Sequence, residues 1–162
     1  MKNIKKLEFH CELQAQSYED LKPSEWELVQ KALEARNRSH SPYSKFQVGA
    51  AVRLANQTII QGANQENAAY PSGLCAERVA LFAAGVQFPN MTFEALAVCV
   101  PDTSTNLPFP CGGCLQVMAE YEYKQQSGLE LFLIYPAEEL VFRAESTRHL
   151  MPFSFNESHL PE

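Results

Sequence analysis

Nowhere in its 162 residues does the sequence carry an apolar run of about eighteen, the length that a membrane-spanning helix requires. An integral helical membrane protein is thereby excluded, and no membrane partner is expected. The first residues, Met1-Lys2-Asn3-Ile4-Lys5-Lys6, are basic, but Glu8, His10 and Glu12 interrupt the residues after them, so the apolar stretch of an export signal is missing too. Cysteine is scarce and odd in number, at five. Without an export signal the expected compartment is the reducing cytoplasm, where thiols more often bind metal or stay free than pair. A basic stripe is lacking, and the formal net charge is −6, which sets aside nucleic acid and favours a small-molecule substrate. Internal repeats and low-complexity tracts are also absent. What is left is an ordinary globular chain, long enough to bury a core without help from disulfides.

Residues 1–22 read as an N-terminal arm and 23–162 as the main domain. In the arm, Leu7, Phe9, Cys11 and Leu13 alternate with polar residues, the period of a half-buried edge strand. Ser24 with Glu27 has the spacing of a capping box, and Trp26, Val29, Ala32 and Leu33 then recur at helical spacing to about Asn37. Val48 to Val52 predicts a buried strand, whose small residues Gly49, Ala50 and Ala51 call for another element close against it. Asn56-Gln57 turns the chain into a second strand at Thr58-Ile59-Ile60. Further strands are expected at Ala95–Val100, Leu129–Tyr135 and Glu139–Ala144, with helices from Cys75 to about Ala84 and from Cys111 to about Tyr123. Strands and helices alternate after the hairpin, which predicts an α/β sandwich with helices on both faces.

Two short stretches carry the chemistry: Cys75-Ala76-Glu77-Arg78 and Pro110-Cys111-Gly112-Gly113-Cys114. Cys111 and Cys114, three apart at a helix start, place both sulfurs on one face, where the helix dipole favours thiolates. That spacing alone also fits a redox pair. A third thiol at Cys75 moves the balance toward zinc, with the fourth position open for water. Residues 75 and 77 are about 200° apart on an ideal helix, so Cys75 must lie at the first turn if both are to reach one site, and Glu77 stays off the metal. By itself Glu77 would read as a helix-stabilising carboxylate. Beside zinc it can move a water's protons. Three thiolates leave a divalent ion with net negative charge, and Arg78 is the candidate to hydrogen-bond the sulfurs. Cys99, inside an apolar strand, reads as a core thiol, and the four histidines are too scattered to be ligands.

Read together with Ser41-Pro-Tyr-Ser-Lys-Phe46, Val48-Gly-Ala-Ala51, Asn64-Gln-Glu-Asn67 and Leu150-Met-Pro-Phe-Ser-Phe155, these stretches make the sequence closely resemble the small, single-domain cytidine deaminases. The resemblance implies a three-layer α/β/α sandwich around a five-stranded mixed sheet. It also implies one zinc per subunit on Cys75, Cys111 and Cys114, and cytoplasmic hydrolysis of cytidine and 2′-deoxycytidine in pyrimidine salvage. Glu77 becomes the catalytic proton carrier, with Arg78 and Gln116 supporting the ligands. Asn64 and Glu66 are expected to hold the ribose 3′-hydroxyl, Phe46 to pack on the pyrimidine, and the backbone at Ala76 to read its edge. Phe155 and Tyr70 are expected at a boundary with a neighbouring subunit in a homotetramer that shares its active sites. Leu115 stands where the family usually has arginine, and the arm is longer than in minimal members. Three rivals stand beside this reading: a deaminase of a modified cytosine nucleoside on the same scaffold, a polynucleotide-editing deaminase, and a non-catalytic zinc or redox module.

Overall fold

A computed structural model describes residues 6, 8–103, 107 and 109–161. In chain order its elements are β1 (Gln14–Ser17), α1 (Pro23–Arg36), β2 (Gly49–Leu54), β3 (Ile59–Ala63), α2 (Ala76–Gln87), β4 (Phe93–Cys99), α3 (Gly112–Gln125), β5 (Glu130–Tyr135) and β6 (Leu140–Ala144). The strands form one mixed sheet in the order β1-β6-β5-β4-β2-β3, in which only β4 and β5 run parallel.

Alternation along the central strands explains why they are apolar throughout. Ala50, Val52, Leu54, Leu96, Val98, Leu131 and Leu133 turn to one face, where they meet Ala80, Leu81 and Ala84 of α2 and Met118 of α3. Ala51, Ala95, Ala97, Cys99, Phe132 and Ile134 turn to the other, against Leu28, Val29 and Ala32 of α1. Both faces are covered, so neither needs polar residues. Cys99 is the core thiol expected, and burial pushes its pKa up to about 12. No helix among the described residues is long and apolar enough to cross a membrane.

The sandwich has six strands where five were expected. The sixth comes from the arm, but as Gln14–Ser17 rather than from the alternating run before it. Phe9 and Cys11 of that run are exposed, Leu13 packs on the core, and Leu7 lies outside the described residues. The physical reason is the free edge of β6, whose backbone groups pair with Gln14↔Arg143 through Ser17↔Leu140. A partner edge decided where pairing occurs; side-chain alternation did not. The start of α1 also differs from the Ser24/Glu27 expectation. The helix begins at Pro23, which suits the first helical position, and Glu25 closes the cap by accepting from the Lys22 N–H at 2.9 Å. Near the other end of the chain, buried Glu122 of α3 accepts from the N–H groups of Leu129 and Thr147 and from the Ser146 hydroxyl, which fixes the start of the C-terminal tail.

The close approach implied by Gly49 is present. A Cβ there would fall 2.2 Å from the Ala32 carbonyl oxygen and 2.4 Å from the Arg36 nitrogen, both helix backbone. Gly49→Ala is therefore expected to force α1 off the sheet and to cost about 3 kcal/mol or more, read as a lowered Tm in thermal unfolding. A Tm within a degree or two of wild type would contradict this packing.

Candidate metal centre and adjoining pocket

Helices α2 and α3 lie on the same face of the sheet, and their first residues supply the sulfurs. Cys75 is the N-cap of α2 and Cys111 the N-cap of α3, both in extended backbone, while Cys114 lies in the first turn of α3. The three Sγ atoms lie within 4.8 Å of one another, with Cys75–Cys111 at 3.9 Å and Cys111–Cys114 at 3.5 Å. A tetrahedral zinc with Zn–S bonds of about 2.3 Å requires sulfurs about 3.8 Å apart, so the donor set fits that ion in both chemistry and spacing. Among the described residues the group stops at three protein donors, which matches a site that keeps a position for water.

Two of the three thiols are shifted in opposite directions by their surroundings. Cys75 is held down to about 5, first by hydrogen bonding with Cys114 and then by Arg78, whose Nη2 lies 3.7 Å from its sulfur. Cys114, fully buried and engaged with Cys75, is pushed up. The Arg78 Nε is buried without a hydrogen-bond partner, and the guanidinium reaches the Cys75 sulfur while no carboxylate among the described residues pairs with it. Glu77, one residue inside α2 from Ala76, is 4 % exposed, and burial raises its pKa. A carboxyl in that setting holds a proton more readily than one in water.

Beside the sulfurs lies a cavity of about 520 Å³, large enough for a small molecule of nucleoside size, lined by residues that include Tyr43, Ser44, Asn64, Glu66, Tyr70, Cys75 and Arg78. Asn64 and Glu66 thus line the same cavity as Cys75 and Arg78. Both are already engaged. The Asn64 Oδ1 accepts from the Ser39 hydroxyl at 2.5 Å and the Val48 N–H at 2.8 Å, and its Nδ2 donates to the Phe46 carbonyl at 2.9 Å. Glu66 accepts from the Tyr43 and Ser44 N–H groups at 3.0 and 3.2 Å and from the Ser44 hydroxyl. What they offer a ligand is the remainder: one amide hydrogen and one carboxylate lone pair. Ser44 and Tyr43 had no role assigned from sequence. The signal was their place in the same loop as Phe46, but only the fold shows that Glu66 is their partner.

Of the other expected residues, Tyr70 lines the cavity, and Ala76, Phe46 and Phe155 do not. Ala76 is buried at the first position of α2, and Phe46, 44 % exposed, lies at the end of the loop held by Asn64. Tyr70 is 77 % exposed and meets the Tyr43 ring edge-on at 6.2 Å. Phe155 does not line the cavity of its own chain; it is 57 % exposed. Its backbone is clamped by Gln116, which donates to the Phe155 carbonyl at 2.6 Å and accepts from its N–H at 3.2 Å. Gln116 is two residues beyond Cys114, so the tail is tied to the ligand-bearing helix.

Residues 23–127 match the family model of the cytidine and deoxycytidylate deaminase zinc-binding region. The chain belongs to this deaminase family. A cytidine deaminase of Halalkalibacterium halodurans is 48% identical over 93 residues, which cover 57% of this chain and 68% of that one. One from Mycobacterium tuberculosis is 30% identical over 138 residues, 85% of this chain and 94% of its own. The crystal structure of cytidine deaminase from Burkholderia pseudomallei superimposes with a TM-score of 0.70 at 35% identity, covering 80% of this chain and 97% of that chain. About a fifth of the chain thus lies outside the shared fold.

Leu115, at a position where such deaminases usually carry arginine, is 8 % exposed and belongs to the core beneath α3. It packs and carries no charge, so Arg78 is the arginine that answers the thiolates among the described residues. Elemental analysis of the purified protein is expected to give one zinc per chain. Cys114→Ser, which replaces the most buried sulfur with a harder donor, is expected to lower that to less than a tenth. Full zinc in that variant would remove Cys114 from the ligand set.

Proposed function

We propose that the protein hydrolyses cytidine and 2′-deoxycytidine to the corresponding uridines and ammonia. The observation that carries this is the meeting of three sulfurs at zinc spacing, a buried carboxyl from the same helix start, and an open nucleoside-sized cavity. Cys75, Cys111 and Cys114 hold the metal. Bound zinc supplies Lewis acidity, which makes water a competent nucleophile near neutral pH.

Glu77 does the proton work. Its carboxylate takes a proton from the attacking water and delivers it to N3 of the pyrimidine as oxygen adds at C4. It then takes the proton of the new C4 hydroxyl and passes it to the exocyclic amine, the C4–N bond breaks, ammonia leaves, and a carbonyl remains at C4. No redox change occurs, and every proton is supplied by water. The buried surroundings of Glu77 suit it to both halves of this traffic, because a carboxyl with a raised pKa is a better base as well as a willing proton store. The Ala76 backbone, at the start of α2, reads the N3 and amino edge in this proposal. Phe46 packs on the ring, and Asn64 and Glu66 take the 3′-hydroxyl with the amide hydrogen and lone pair they have left. Asn64 is buried and Glu66 half-buried, and polar groups left unpaired in a bound complex reject a substrate that lacks the matching hydroxyl.

Residues 23–162 form the catalytic unit, with residues 1–22 as its arm, and the enzyme works in the cytoplasm in pyrimidine salvage. Exposed Tyr70, Phe153 and Phe155 support a homotetramer in which one chain's tail completes its neighbour's site, since so much exposed aromatic surface calls for cover. The bonds from Gln116 to the Phe155 backbone, which tie the tail to α3, support the same reading.

Glu77→Gln is expected to keep zinc, fold and tetramer but to lose at least about a thousandfold in kcat, followed by the absorbance change from cytidine to uridine. Near-normal turnover in that variant would end the assignment. Sedimentation is expected to give a species of four chains. A fully active monomer would overturn the shared site.

A further inference from the structure

We propose that Ser44 is a positioning residue which couples the sugar-reading carboxylate of Glu66 to the ring-facing Phe46, and thereby sets discrimination for the ribose hydroxyl. It rests on the roles given above to Glu66 and Phe46. The Ser44 hydroxyl donates to Glu66 Oε1 and accepts from the Phe46 N–H at 2.9 Å. One side-chain oxygen therefore bridges Glu66, which lines the cavity, and the backbone of Phe46 at the end of the adjoining loop. The carbonyl of Phe46 is held in turn by Asn64 Nδ2 at 2.9 Å. Both backbone polar groups of Phe46 thus answer to the sugar side of the cavity, the N–H through Ser44 and the carbonyl directly.

Local backbone geometry supports the same reading. Lys45, between Ser44 and Phe46, has φ of 59°, a left-handed conformation uncommon outside glycine. Residues held so persist only where neighbours over-determine them. Here the neighbours are the bonds that Glu66 accepts from the Tyr43 and Ser44 N–H groups on one side and the Ser44 cap on Phe46 on the other. The hydrogen bond from Ser44 is also the largest cause of the lowered Glu66 pKa, which keeps that carboxylate an acceptor. Removing the hydroxyl frees Phe46 from its cap and releases one Glu66 oxygen, while the two N–H bonds keep the carboxylate nearby. Glu77 and the cysteines, on α2 and α3, are untouched, so binding and discrimination should change and the proton-transfer machinery should not.

The test compares wild type, Ser44→Ala and Ser44→Thr on cytidine and 3′-deoxycytidine, with zinc content and Tm measured on each. Ser44→Ala is expected to raise KM for cytidine about tenfold with kcat within about twofold, the scale of one lost hydrogen bond to a charged group. On 3′-deoxycytidine the share of the loss that runs through Glu66 disappears and only the share from the freed Phe46 remains, an effect of about twofold. Ser44→Thr, which keeps the hydroxyl, restores discrimination. Ser44→Cys, of similar size but a poor donor, gives the same pattern at smaller amplitude and stands in if the alanine variant does not fold. An equal loss on both substrates, or a fall in kcat at unchanged KM, overturns the coupling. A wild-type enzyme that turns over the two nucleosides equally well overturns the Glu66 assignment itself, and the coupling with it.

Discussion

Two helices begin at one point, and everything chemical in this protein depends on that. Helices α2 and α3 share a face of the sheet, and their first residues bring Cys75, Cys111 and Cys114 within a single coordination sphere. A helix N-terminus presents unpaired N–H groups and a positive dipole end, so each thiolate sits where negative charge is favoured. The same arrangement accounts for Glu77. With Cys75 at the cap and not inside the helix, a carboxylate two residues on remains beside the sulfurs instead of turning to the far side. The sheet beneath holds the convergence rigid, because Ala80, Leu81, Ala84 and Met118 pack it from the helix side with no exposed surface.

Electrostatics then assign the supporting parts. Three thiolates overcompensate a divalent ion, and two helix ends and one arginine offset the excess. Arg78 reaches Cys75 from a position partly shielded from water, where a charge-assisted contact counts for more than on an open surface. Leu115 shows that a second arginine next to Cys114 is not needed to fill space there: the position points into the core, and an apolar side chain completes it. Gln116 instead ties the C-terminal tail to the ligand-bearing helix.

Much of this was legible along the chain, for identifiable reasons. The strands β2, β4 and β5 are apolar on both faces, and a run that needs no polar residue can only be the middle of a covered sheet. The ligand cysteines were legible because helix-start spacing and metal chemistry restrict residue type and position together. The close approach at Gly49 was legible because no other side chain fits. Other features depended on partners far away in sequence. The arm's strand lies at Gln14–Ser17 because β6 offers an edge there, and the alternating residues before it have no such edge. The cap of α1 falls to Glu25 instead of Glu27 because Pro23 sets the first turn. Ser44 looked like one polar loop residue among several until Glu66, 22 residues on, became its partner.

By itself, then, the sequence determined the class of fold, the ligand set and the reaction they imply, since each of these rests on local periodicity or on residue types that only one chemistry employs together. Tertiary structure decided the rest: that the arm adds a sixth strand, that Arg78 turns to the sulfurs while Leu115 turns to the core, and that Asn64 and Glu66 are bonded to the loop that carries Phe46. These are questions of which hydrogen-bonding and charged groups meet across the fold. A polar side chain has several possible partners, and only the folded chain brings one of them within reach.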